Sequence, residues 1–248
     1  MKTLLVQSAS VGQCMGWQGQ TLQDAKRWAS HQGMDYRFVG DEIFDLVPAW
    51  YLAKCTGKLP VATDYARLLL LQQALQEGYE QAIWLDADVL VLDSSLRVEF
   101  AGTCAFGLEV WIERKQGKLV SRRNVHNAIV VFRQHCPVLP FLIRCVESLM
   151  RRVDAAHLAP QFVGPKLLQA LHPFADFALL PEVGALSPLV VADILAGGGP
   201  ALDVMCQHSP LPKAVNLCAS LLSAQEGQAL VESVRTTLCS LSPNTPHD

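Results

Sequence analysis

Short apolar runs bounded by polar or glycine-marked turns alternate along this chain with longer stretches whose apolar residues recur at helical spacing. Leu4-Leu5-Val6-Gln7-Ser8 predicts a first buried strand. A glycine-bearing loop follows, and Thr21 predicts the cap of a helix presenting Leu22, Ala25, Trp28 and Ala29, with Gly33 as its stop. Residues 34–39 predict a second strand, and this strand–helix–strand order favours a parallel α/β sheet. Residues 43–58 form a mixed stretch. Thr63 predicts the cap of a helix over residues 64–75, which is apolar nearly all round and so buried, with Gly78 where a stop belongs. Residues 81–85 predict a short apolar strand that runs straight into Asp86-Ala87-Asp88, after which Val89-Leu90-Val91-Leu92 resumes the apolar character.

The second half reads as strands over 104–111 and 128–132, a helix over 137–153 with a basic end, and a short helix opened by Gly164-Pro165. A strand at 177–180, a helix at 188–195, a flexible Gly197-Gly198-Gly199-Pro200 and a closing helix at 225–238 complete the pattern. The expectation is one domain over 1–248, with 240–248 a frayed, flexible tail. The fold class expected is α/β.

At 248 residues and 50% hydrophobic the chain can bury a substantial core, and at 17% charged it is too apolar to be disordered. A net charge of -3 gives no basic footprint for nucleic acid, so an anionic ligand has to be met by a local site. No apolar run has the roughly 20 residues that cross a bilayer, and the N-terminal run turns polar too soon for a signal peptide. The expected location is the cytoplasm, with peripheral contact at the inner face of a membrane left open. The eight cysteines form no C-x-x-C pair and read as reduced, mostly buried residues. Cys206 and His208 could chelate zinc, but no second pair completes such a site.

Asp86 and Asp88 are the sharpest chemical signal. Alternate residues of a strand face the same side, so two carboxylates at this spacing can converge on one point. They end an apolar strand, where ligands gather in open α/β sheets. Unpaired buried carboxylates are costly, and oxygen ligands suit magnesium or manganese. Such an ion would bridge a diphosphate and stabilise leaving charge. The plainer alternative is a pair of turn-capping acids, which the apolar flanks on both sides disfavour.

Thr63-Asp64-Tyr65-Ala66-Arg67-Leu68 on a helix, Gly78-Tyr79, and then Trp84-Leu85-Asp86-Ala87-Asp88-Val89 resemble the sugar-binding region of DXD glycosyltransferases over residues 28 to 95. The similarity is to bacterial capsular and lipopolysaccharide transferases and to initiation mannosyltransferases. It implies a GT-A-like (Rossmann-like) fold, a mixed, mainly parallel sheet flanked by helices. The nucleotide-sugar-binding half would span 1–95 and the acceptor-side half 96–239. By the same resemblance Asp64 and Arg67 lie beside a UDP- or GDP-sugar donor, Asp86 touches its ribose or sugar, and Asp88 binds Mn2+ or Mg2+. His208 is the best match to a further metal ligand, and Lys213 to a diphosphate contact. Asn127 falls where a sugar contact is expected, and Glu109 lies near the acceptor cleft as a candidate base. A glycan or lipid-linked acceptor would take the sugar, with a lean towards retention at the anomeric carbon. Two features depart from the pattern: Gly78-Tyr79-Glu80-Gln81 replaces Gly-Gly-x-Tyr, and Val215-Asn216-Leu217 stands where a late tryptophan is common.

Two other classes use the same acids. A phosphohydrolase or nucleotidyltransferase needs a nucleophile or more carboxylates at the metal, and no Walker-type phosphate loop is present. A non-catalytic relative would bind the nucleotide sugar without turning it over.

Overall fold

The computed structural model describes residues 1–14, 16–175 and 177–241, so the expected tail from residue 242 onward lies outside the described residues. A six-stranded mixed sheet runs in the order β2-β1-β3-β6-β5-β7. Its strands are β1 (Thr3–Ser8), β2 (Asp35–Val39), β3 (Gln81–Leu85), β5 (Cys104–Lys115), β6 (Lys118–Arg133) and β7 (Ala178–Leu180). The β1·β2, β1·β3 and β5·β7 pairs are parallel, and β6 runs antiparallel to β3 and β5. A three-stranded sheet, β4 (Val89–Val91), β9 (Ala214–Asn216) and β8 (Val183–Ala185), stands beyond the end of β3.

Strand alternation divides the core. Leu4, Val6, Ala82, Trp84, Val130 and Phe132 pack on one side of the main sheet against α2 (Ala49–Lys54), α3 (Leu59–Gln76), α4 (Val138–Arg152) and α5 (Pro165–Ala175). Leu5, Ile83, Leu85, Ile129 and Val131 pack on the other side with Ala25, Trp28 and Ala29 of α1 (Trp17–His31). Both faces are covered, which is why these strands read as continuous apolar runs. A third cluster joins Val110 and Ile112 to α6 (Pro188–Leu195), α7 (Pro200–His208) and α8 (Ala224–Leu241).

Thr21 and Thr63 do not cap their helices. Both helices begin one turn earlier, α1 after Gly16 and α3 with a proline in its first turn, where the missing N–H costs nothing. The Thr63 hydroxyl instead donates to Leu59 O at 3.2 Å. The strands expected at 104–111 and 128–132 are parts of one hairpin, 12 and 16 residues long on its two arms. It turns at Gln116-Gly117, with φ of 50° and 78°, the paired positive values of a type I′ turn. Gly197-Gly198-Gly199 is not loose: Asp193 Oδ2 accepts from Ala201 N at 2.6 Å and Leu202 N at 3.0 Å and so caps α7. Gly199 packs so closely on that carboxylate that a Cβ would collide with it. No single helix among the described residues is long and apolar enough to cross a membrane.

Candidate active site

The turn Asp86-Ala87-Asp88 leaves β3 and enters β4, so its two acids straddle two sheets rather than share one strand face. Four elements fix its backbone. Asp86 N donates to Ala128 O at 2.8 Å, and Gln7 Nε2 donates to Asp86 O at 3.3 Å. The Thr21 hydroxyl donates to Ala87 O, and Leu217 N donates to Asp88 O at 3.0 Å. Thr21, expected to be a helix cap, is therefore a brace for this turn. Gln7 is itself held by Tyr36 OH at 3.1 Å.

Asp86 faces α3. Its Oδ1 accepts from Arg67 Nη2 at 3.0 Å and from Trp84 Nε1 at 2.6 Å. Arg67 lies one helical turn from Asp64, with Nη2 3.5 Å from Asp64 Oδ1, and both are buried at 4% and 8% exposure. Arg67 Nη1 donates to Asn127 O, and Asn127 Nδ2 donates to Asp64 Oδ1 at 2.7 Å. Gly164, just before α5, closes this network, because a Cβ there would collide with the Asp64 carboxylate and the Asn127 amide. Burial pushes the Asp64 carboxyl up to about 6, against the pull of Arg67 and Asn127. The four residues Asp64, Arg67, Asn127 and Gly164 line a small cavity beside the acids, and Arg67 Nε is buried without a partner.

Asp88 takes its partners from β9 and the segment after it. Its oxygens accept from Asn216 Nδ2 and from Ala219 N, each at 2.8 Å. Burial, and then the neighbouring Asp86, push its carboxyl up to about 6. Asn216 Oδ1 accepts from Cys218 N at 2.7 Å. Cys218 adopts a left-handed φ of 54°. Burial, and then Asp88, Glu109 and Asp86, raise its thiol to about 12. Glu109 Oε1 accepts from Asn124 Nδ2 at 2.9 Å, and burial raises its carboxyl. His126 lies over Gly107, with Nε2 2.9 Å from Val183 O and Nδ1 accepting from Ala128 N. Burial lowers its pKa.

Asp64, Arg67, Asp86 and Asn127 thus form one network, and Asp88 and Glu109 lie next to it. His208 and Lys213 share no hydrogen bond or ion pair with these residues among the described ones. His208 ends a helix instead of standing in a loop; its ring is exposed and its Nδ1 lies 2.9 Å from Val204 O. Lys213 precedes β9 at the end of the ladder away from Asp88 and pairs with Asp93 at 3.6 Å. Among the described residues no three His, Cys, Asp or Glu side chains are grouped as for a metal. The residue that reaches Asp88 is Asn216, in the segment where the sequence departs from the expected pattern. The signal available was a polar residue ending a short apolar strand, a weak one in a single sequence.

No family model matches the sequence, and no curated protein matches it. Among solved structures, the chain is similar to a glycosyltransferase involved in glycosylation of the major capsid of PBCV-1. The TM-score is 0.53 at 11% identity, covering 94% of this chain and 99% of that one. The PaToxG glycosyltransferase gives a TM-score of 0.38 at 10% identity over 97% of this chain and 87% of its own. A197 from STIV gives 0.31 at 12% identity over 70% and 78%. Scores that low contribute nothing to the comparison. The mixed six-stranded sheet with helices on both faces shares, over nearly the whole chain, the fold of the first of these.

Proposed function

We propose that this chain is a glycosyltransferase that takes a sugar from a nucleotide-sugar donor and passes it to an acceptor hydroxyl. The observation that carries this reading is the state of Asp88. Its carboxylate is held by two neutral donors beside Asp86, and no cationic side chain among the described residues pairs with it. Two carboxylates within electrostatic reach, only one of them neutralised by arginine, leave a negative charge to be met from outside.

The donor set fits a hard cation, because Asp86 and Asp88 are carboxylates of one turn within electrostatic reach of each other, and the groups that hold Asp88 are a side-chain amide and a backbone amide. Asp86 and Asp88 would hold manganese or magnesium, which would supply neutralisation of the diphosphate leaving group. The protein's own contribution is orientation. Asn216 and the Ala219 amide aim Asp88, and Trp84 and Arg67 aim Asp86. Asp64, Asn127 and Arg67 are the polar residues beside Asp86 that would meet the hydroxyls of the donor sugar. UDP- or GDP-sugars are the donors to test, and Glu109 is a positioned carboxyl for the acceptor side.

The test is calorimetric titration of UDP and GDP with and without manganese, on the protein and on Asp88→Asn. We expect binding that needs the metal and weakens at least about tenfold in the variant, a loss of about 1.4 kcal/mol. The same affinity in both proteins would refute the reading. Release of free sugar from the bound donor then separates an enzyme from a binding relative.

A further inference from the structure

We propose that the outward face of the β5–β6 hairpin is the acceptor site, and that Trp111 is the platform on which a pyranose ring of a carbohydrate acceptor stacks. The inference rests on the glycosyltransferase reading and names its acceptor class.

Beyond the bulge at Phe106/Gly107, alternation puts Gly107, Glu109, Trp111 and Glu113 on one face of β5. The ladder sets His126, Asn124, Arg122 and Val120 opposite them. The other face carries Val110 and Ile112, which are buried against α6, α7 and α8. The first face starts at the site, where His126 packs on Gly107 and Glu109 sits within electrostatic reach of Cys218, and leads outward.

Trp111 is the exception among the five tryptophans. Trp17, Trp28 and Trp84 are buried at 5%, 1% and 1% exposure. Trp50 is covered by Arg151, 4.3 Å from its ring centre, and packs edge-on to Tyr51. Trp111 is half-buried, and among the described residues neither its indole N–H nor its ring has a partner. Two polar pairs flank it on the same face: Asn124 on Glu109 at 2.9 Å, and Arg122 on Glu113 at 2.7 Å.

A pyranose has an apolar C–H face and a rim of hydroxyls. A partly exposed indole with no ring or hydrogen-bond partner, between a carboxylate–amide pair and a carboxylate–guanidinium pair, matches both parts. An aliphatic or lipid acceptor would make no use of these polar pairs. A peptide would use the free edge of the hairpin rather than its face.

The experiment observes the five indole N–H signals of 15N-labelled protein, with Trp111 identified from Trp111→Phe. Methyl glycosides of glucose, galactose and mannose, then lactose and maltose, are titrated in. A Ser/Thr-rich peptide and phosphocholine micelles are run in parallel. We expect at least one carbohydrate to move the Trp111 signal. Its affinity should fall about tenfold in Trp111→Ala and recover largely in Trp111→Tyr, while manganese-dependent binding of UDP or GDP is unchanged in all three proteins. Carbohydrates that leave Trp111 unmoved, or a response only to peptide or micelles, overturn the proposal and leave the glycosyltransferase reading intact. Absent nucleotide binding with a carbohydrate response at Trp111 overturns the enzyme reading, and the carbohydrate surface then stands alone.

Discussion

Arg67 is the residue on which the polar network depends. One guanidinium reaches Asp64, Asp86 and the carbonyl of Asn127, and its plane lies 4.9 Å from the Trp84 ring centre. That arrangement uses its fork geometry and excludes lysine as an equivalent. Asp64 pays for this position with its solvation, and the consequence is measurable. Its folded pKa of about 6 stands above the ordinary 3.8, so the proton is held more tightly in the folded state. The stability linked to this group is present below about pH 4, is lost as pH rises to about 6, and is constant above that. We therefore expect urea unfolding of the protein and of Asp64→Asn to diverge with pH. The wild type should lose a few kcal/mol relative to the variant between about pH 4 and pH 6. A difference that does not change with pH would show that burial does not control this carboxyl.

Elements decide where the chemistry is displayed. Strand β3 is bounded as its apolar run predicts, and the end of that run places Asp86 at the sheet edge. The hairpin is the element that the pattern reads too short, because its outer half carries Glu113, Arg114, Lys115, Arg122 and Arg123 on a ribbon with only one packed face. Its turn offers a direct test. Gln116 sits at φ 50°, where asparagine is better tolerated than glutamine. Gln116→Asn should raise stability by about 0.5 kcal/mol, read as a higher unfolding midpoint with an unchanged m-value. A lower midpoint would mean that this turn is not set by the positive φ values. The helix α7 was missed for a related reason: three glycines before it read as slack, whereas Asp193 supplies the cap from the preceding helix.

At the scale of the whole molecule, the C-terminal helix returns to the N-terminal one. Asp24 of α1 is buried and paired with Arg27 and with Arg235 of α8, and Gly227 of α8 lies against the Trp17 indole. Alanine at Gly227 gains about 1 kcal/mol of helix propensity but has no room for its methyl group. We expect Gly227→Ala to lower the melting temperature, by calorimetry, despite the propensity gain; a rise would show that α8 docks loosely. This docking matters for the site, because α1 also carries Thr21, the brace on Ala87.

The α/β class, the buried α3 and the acid-bearing end of β3 were determined by the sequence alone, because apolar periodicity and a polar break within it are local properties of the chain. So was the closeness of Asp64 and Arg67, which one helical turn enforces. The partner of Asp88 was decided only by tertiary structure. Asn216, 128 positions away along the chain, meets it from the strand paired with β4, and the sequence pointed instead to His208, which lies on a separate helix. The same holds for the partners each acid takes: Asp86 meets α3 and Asp88 meets β9 and the segment after it, because β3 and β4 belong to different sheets. Contacts between distant segments depend on how sheets stack and turn, and no local pattern of side chains encodes that.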